Sequence, residues 1–156
     1  MREAFGDAGE IIFTSGGTES NNMSILGTLA VLHSPRPHIV SSSAEHPSVW
    51  ALLESLAGKG KADVSFCDPG KDGAIDPDVI AEALRPDTAI VSCMVVNNET
   101  GAVTDVSGIR RRMDAVCPQA LLHTDGVQAF CKLPFGDPVS DLYSLSGHKF
   151  HGPKQG

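Results

Sequence analysis

The side chains of this sequence best suited to covalent and acid–base chemistry stand in short polar stretches, each directly after a β-forming run. Lys149 closes "SLSGHK" (144–149). A lysine enclosed in a cleft gives up its proton more readily than one in water, and its neutral amine condenses with an aldehyde. On an open surface the same residue merely lays its stem along the protein. Asp125, in "HTDGVQ", sits at a strand end where burial is costly unless a cation faces it; the plainer role is a helix cap. Gln128 follows three residues on. His46 precedes Pro47, which holds it extended at a strand exit, where an ordinary satisfied polar residue would also fit. Asn97, Asn98 and Glu99 end a long apolar run, with Gly101 beyond them, and turn chemistry alone accounts for them. Gly16, Gly17 and Thr18 open a helix whose free N–H groups form an anion seat, or a simple turn capped by Thr18.

Taken together the stretches ask for one ligand. It has a phosphate for the helix start, a flat ring for His46 to cover, a ring nitrogen for Asp125 and an aldehyde for Lys149. Pyridoxal 5'-phosphate meets all four demands, and a lysine imine with an aspartate at the ring nitrogen is its recognisable protein site.

The elements that would position these residues alternate in type. Strands are expected at 10–15, 38–44, 62–67, 88–96, 120–126 and 141–146, and helices at 18–33, 47–60, 77–84 and 105–117. In the first helix Met23, Leu26 and Ala30 mark the apolar face, with Ile25, Leu29 and Leu32 beside it, and Pro35 and Pro37 close it. Asp76 is the expected cap of the third helix. The uninterrupted apolar run "TAIVSCMVV" reads as a strand buried on both faces. The pattern predicts a three-layer α/β/α fold around a mainly parallel sheet, whose ligands gather at the carboxyl ends of the strands.

Bulk properties narrow the function. A net charge of -7 over 156 residues argues against a nucleic-acid partner. No apolar run reaches the roughly 18 residues of a membrane span. "MREAFGDAGE" lacks the apolar core of a signal peptide, so a cytoplasmic location is expected. Cys67, Cys93, Cys117 and Cys131 have no CxxC spacing and read as reduced, mostly buried thiols. His151 stands three residues after His148, but a third ligand is missing and no metal site is expected.

The stretches "TSGGTESNN", "SSAEHPSV", "VNNETG", "HTDGVQAFCKLPF" and "SLSGHKFHGPK" resemble, in order and spacing, the class V aminotransferase group of fold-type I pyridoxal-phosphate enzymes. Within it they are most similar to the NifS/IscS-type cysteine desulfurases, over nearly the whole chain from residue 10. The resemblance implies that Lys149 bonds the cofactor and later moves the substrate α-proton, and that His46 stacks on the ring and shuttles protons. It places Asp125 on the ring nitrogen and Gln128 on the phenolic oxygen. Gly17, Thr18, Ser146 and His148 would hold the phosphate, and Asn98 would contact the substrate carboxylate or the cofactor. Asn97 and His123 lie near the site without a defined role.

Two departures from the family pattern stand out. The family's chains are more than twice as long, with a C-terminal small domain that carries a nucleophilic cysteine on a loop and an arginine for the substrate carboxylate. None of the four cysteines here occupies the nucleophile's position, and Cys131 reads as structural. Residues 1–156 are therefore expected to be a truncated large-domain core. The implied function is conversion of cysteine to alanine with transfer of sulfur to an enzyme thiol, in a homodimer that serves a sulfur-acceptor protein in Fe–S cluster or thio-cofactor assembly. A selenocysteine lyase, a true aminotransferase or a non-catalytic binding module are the competing readings.

Overall fold

In this computed structural model, residues 9–134 and 139–152 are described. The end of "AFCKLPF" and the residues after Gly152 lie outside them. The most apolar run becomes β3 (Thr88–Met94), buried along nearly its whole length in the middle of a five-stranded sheet. Around it stand β1 (His38–Ser42), β2 (Asp63–Cys67), β4 (Leu121–Asp125) and β5 (Leu142–Ser144), in the order β2-β1-β3-β4-β5. Every pairing is parallel, and the register sets Met94 beside Asp125 and Asp125 beside Ser144. The strand exits therefore end nearly level, which is what a shared cleft needs.

Alternation of side chains along each strand divides the core in two. Ile39 and Ile90 face one way, onto Ile25 of α1 (Gly17–Val31) and Val49 and Leu53 of α2 (Pro47–Gly58). Val40, Val91 and Leu122 face the other way, onto Ile80 of α3 (Pro77–Ala83) and Ile109 and Met113 of α4 (Val106–Val116). Each fully buried aliphatic side chain stabilises the layers by about 1.5–3 kcal/mol. Two helix starts are fixed by carboxylates: Asp76 accepts from the Asp78 N–H, as expected, and Asp105 from the Gly108 N–H, at 2.9 and 2.8 Å. Each cap is worth about 1 kcal/mol.

The sequence expectations fail at three places here. Residues 10–15 form no strand; Ile12 and Phe13 are exposed, and no strand among the described residues pairs with them. The first helix is turned away from its most apolar face: Met23, Leu26 and Ala30 are exposed, and Asn21, Ile25 and Thr28 are buried. The reason is polar. Asn21 and Ser20 reach hydrogen-bond partners on β4 and β5, and Thr28 returns its hydroxyl to the Ser24 carbonyl at 2.8 Å. Finally, Thr18 does not cap the helix. Gly16, at φ 151°, takes that position without a side-chain bond, and Glu19 closes the first turn by accepting from the Ser15 N–H.

Candidate active site

A cleft of about 350 Å³ opens at the carboxyl ends of the strands. Its walls are built by four strand exits and one helix start. The β1 exit brings His46; the β3 exit brings Asn98; β4 ends in Asp125 and leads to Gln128; β5 leads to Ser146, His148 and Lys149 in a 3-10 turn (Gly147–Phe150); α1 begins with Gly17 and Thr18. All nine site residues expected from the sequence line this one cleft. Asn97 instead shapes the turn beside it, accepting from the Glu99 and Thr100 N–H groups and donating to the Ala44 carbonyl. His123 lies beneath the floor, fully buried.

Each wall has a local cause. Gly17 lets the start of α1 approach the β4 exit, since a Cβ there would stand 2.9 Å from Val127 Cγ2. His46 caps α2: its Nδ1 accepts from the Ser48 N–H at 3.1 Å. The Ser146 hydroxyl lies 2.9 Å from His148 Nδ1, which ties together the two β5-exit residues expected at the phosphate. Gln128 accepts from Lys132 Nζ through Oε1 at 2.5 Å, leaving its NH2 as the free donor end.

One expectation changes in detail. Asp125 is buried as its strand-end position implies, with its Oδ1 accepting from the Val127 N–H at 2.9 Å and its Oδ2 from the Asn21 amide at 2.7 Å. Lys149, expected to be partly enclosed, is exposed and lines the cleft from a short 3-10 turn. Among the cysteines, Cys67, Cys93 and Cys117 are buried free thiols with their ionisation pushed up by burial. Cys131, read as structural, is exposed in a left-handed conformation at φ 61°.

The sequence reading missed Asn21, Ser48 and Glu45. Asn21 and Ser48 line the cleft. Asn21 was detectable in principle, since it stands four and seven residues before Ile25 and Thr28 on one helical face. Glu45 is buried beside His46, and burial pushes its carboxyl up to about 8, against the opposing pull of the Ser42 hydroxyl and the Met94 N–H. Those two groups donate to Oε1 at 2.6 and 3.0 Å, while Oε2 has no partner among the described residues. Burial likewise drives His123 down to about 4, so its imidazole is neutral.

A parallel sheet whose exits gather an exposed lysine, a buried aspartate, a capping histidine and a helix N-terminus around one cleft places the chain within an α/β enzyme family that is pyridoxal-phosphate-dependent. The chain belongs to the aminotransferase class-V family, whose model matches residues 4–155. It is 43% identical over 149 residues to a cysteine desulfurase IscS from Anaeromyxobacter sp. (strain Fw109-5), covering 94% of this chain and 36% of that protein. It is 42% identical over 147 residues to a putative cysteine desulfurase IscS 1 from Bacillus subtilis (strain 168), covering 93% of this chain and 38% of that one. Among solved structures, a NifS-like protein superposes with a TM-score of 0.90 at 30% identity over 99% of this chain and 43% of its own. SspA in complex with cysteine superposes with a TM-score of 0.86 at 34% identity, over 99% of this chain and 46% of its own. The chain thus spans little more than a third of the curated relatives.

The residues fit the family's cofactor. The cleft presents backbone donors at the start of a 15-residue helix, a buried carboxylate, and an Asn21 carbonyl oxygen that is buried without a partner among the described residues. Among the described residues, no helix is long and apolar enough to cross a membrane.

Proposed function

We propose that this chain is the cofactor-binding core of a pyridoxal-phosphate-dependent cysteine desulfurase, the large-domain core of that enzyme. One observation carries the reading: residues from five separated stretches line a single cleft, in a chain 43% identical to a desulfurase. When bound, pyridoxal phosphate supplies an aldehyde for the amino group of cysteine and a ring that accepts the electrons left when the α-proton departs. The protein does the rest. Lys149 would offer the amine for the aldehyde carbon and would move the α-proton. His46 would cover the ring, Asp125 would face its nitrogen, and the Gln128 NH2 would donate to its phenolic oxygen. The N–H groups of Gly17 and Thr18, with Ser146 and His148, would take the phosphate. Asn98 would meet the substrate carboxylate or the cofactor.

The sulfur-accepting step is assigned to none of the four cysteines. Three are buried thiols with raised pKa, and Cys131, though exposed, does not line the cleft. A cytoplasmic, homodimeric enzyme that hands sulfur to an acceptor protein completes the reading. The free cysteines support the compartment, and the exposed apolar side chains of Ile12, Phe13, Met23, Leu26 and Val31 support self-association, checked by sedimentation.

The test is a visible spectrum of the purified chain with added pyridoxal phosphate, before and after borohydride. A band that borohydride bleaches and fixes to the protein, and that Lys149→Ala abolishes, is expected. Equal labelling of the Lys149→Ala chain would overturn the reading. Assays of alanine from cysteine, and of products from selenocysteine and keto acids, then separate desulfurase from lyase or aminotransferase.

A further inference from the structure

We propose that Asn21 and Ser48 form a relay that joins Asp125 to His46 and fixes the His46 ring with its proton on Nε2. Asn21 is 1% exposed and belongs to the second turn of α1. Its amide nitrogen carries two hydrogens, and both are engaged: Asp125 Oδ2 lies at 2.7 Å and Ser48 Oγ at 3.0 Å. The orientation of the amide follows from its partners, since the nitrogen donates to Asp125 Oδ2 while Oδ1 of the same carboxyl accepts from the Val127 N–H. Having accepted from Asn21, the Ser48 hydroxyl keeps its own hydrogen to give, and His46 Nδ1 lies 2.8 Å away. The Ser48 backbone N–H points at the same atom from 3.1 Å. With two donors converging on Nδ1, a neutral imidazole holds its proton on Nε2.

The relay spans α1, α2 and β4, so one amide couples the residue at the ring nitrogen to the residue over the ring face. Its catalytic meaning rests on the function proposed above: Asn21 is then a positioning residue that decides which nitrogen of His46 carries a proton. The hydrogen-bond geometry itself does not depend on that reading.

The test reads the ring nitrogens of His46 by 15N NMR in the unliganded chain, with His46→Gln to assign them. The wild type is expected to show Nδ1 unprotonated and Nε2 protonated. Ser48→Ala should move the tautomer ratio roughly tenfold toward Nδ1–H, the effect of losing one hydrogen bond, and Ser48→Thr should restore it. Asn21→Asp, which keeps the shape and loses both donors, should shift the ratio in the same direction. It should also weaken binding of added pyridoxal phosphate about tenfold or more. A wild-type ring protonated on Nδ1 overturns the proposal, as does a Ser48→Ala ratio equal to the wild type's. A wild type with the expected tautomer that binds no pyridoxal phosphate overturns the proposed function and leaves the relay standing.

Discussion

The two ends of the sheet use the same device for different purposes. At the amino end, His38 of β1 is buried and places Nδ1 2.9 Å from Thr88 Oγ1 on β3 and Nε2 3.0 Å from Ser65 Oγ on β2. At the carboxyl end, His123 of β4 places Nδ1 2.8 Å from Ser92 Oγ on β3 and Nε2 3.0 Å from Ser144 Oγ on β5. Each imidazole bridges hydroxyls on the two flanking strands, and burial lowers the pKa of each. The chains then diverge. Thr88 Oγ1 accepts from the Arg85 N–H, inside a surface cluster where Arg85 also pairs with Asp63. Ser144 Oγ instead accepts from Ser20 Oγ, in the first turn of the helix that opens on the cleft. The amino-end network closes on itself, and the carboxyl-end network continues into the wall of the site. Geometry tuned for a ligand should therefore make the carboxyl end intolerant of added atoms and of charge, while the amino end answers mainly to backbone conformation.

The largest effect is expected at Gly126, immediately after β4. A Cβ there would overlap the Tyr143 ring, which packs against the strand exit that holds Asp125. Gly126→Ala should destabilise the chain by about 3 kcal/mol or more, a fall of roughly 10 °C in melting temperature. A melt within a degree or two of the wild type would show that the carboxyl end is as forgiving as the other.

Charge sharpens the contrast next, through the pH dependence of stability. Glu45 has an ordinary value of 4.5 and a folded value of about 8. Unfolding therefore releases a proton within that window, so stability falls as pH rises from 4.5 to 8 and levels off above. His123 moves the other way, from 6.5 to about 4, so unfolding takes up a proton there and stability falls as pH drops from 6.5 to 4. Glu45→Gln should flatten the alkaline limb and His123→Gln the acid limb, each by a few kcal/mol at most. His38→Gln should flatten the acid limb less, its downward shift coming from burial and then Arg85. Urea titrations across pH 4–8 check this, and an unchanged alkaline limb in Glu45→Gln would show that the buried carboxyl is ionised in the fold.

These features also mark where the sequence could be read and where it could not. His46, Asp125, Gln128 and Lys149 were legible because strand-exit position follows from alternating apolar and polar runs, a pattern one strand carries by itself. The rotation of α1 was not. Apolar spacing favoured Met23 and Leu26, and the decision came from Asn21 and Ser20 finding partners more than a hundred residues away. Glu45 stayed hidden for the same reason: beside His46 it reads as a solvated acid, and only the folded β1–β3 pairing brings the Met94 N–H to its Oε1. The strand expected at 10–15 had the right residues, but no strand among the described residues pairs with them.

The smallest effect is expected at Gly60, which turns α2 into β2 at the amino end of the sheet. Its φ of 65° lies in the left-handed region, and a Cβ there would meet no atom within 4 Å. Nothing steric forbids alanine; what opposes it is the backbone conformation, at about 1–2 kcal/mol for a residue with a Cβ. Part of that is offset, because alanine also restricts the unfolded chain by about 0.4–1 kcal/mol. Gly60→Ala should therefore cost about 1 kcal/mol, a fall of roughly 2–4 °C in melting temperature, and Gly60→Asn less, since asparagine tolerates this region. Binding of pyridoxal phosphate should be unchanged in both, with the site at the opposite end of the strands. If Gly60→Ala weakened binding, the two ends would be mechanically coupled through β2 and β1, and the division of labour between them would fail.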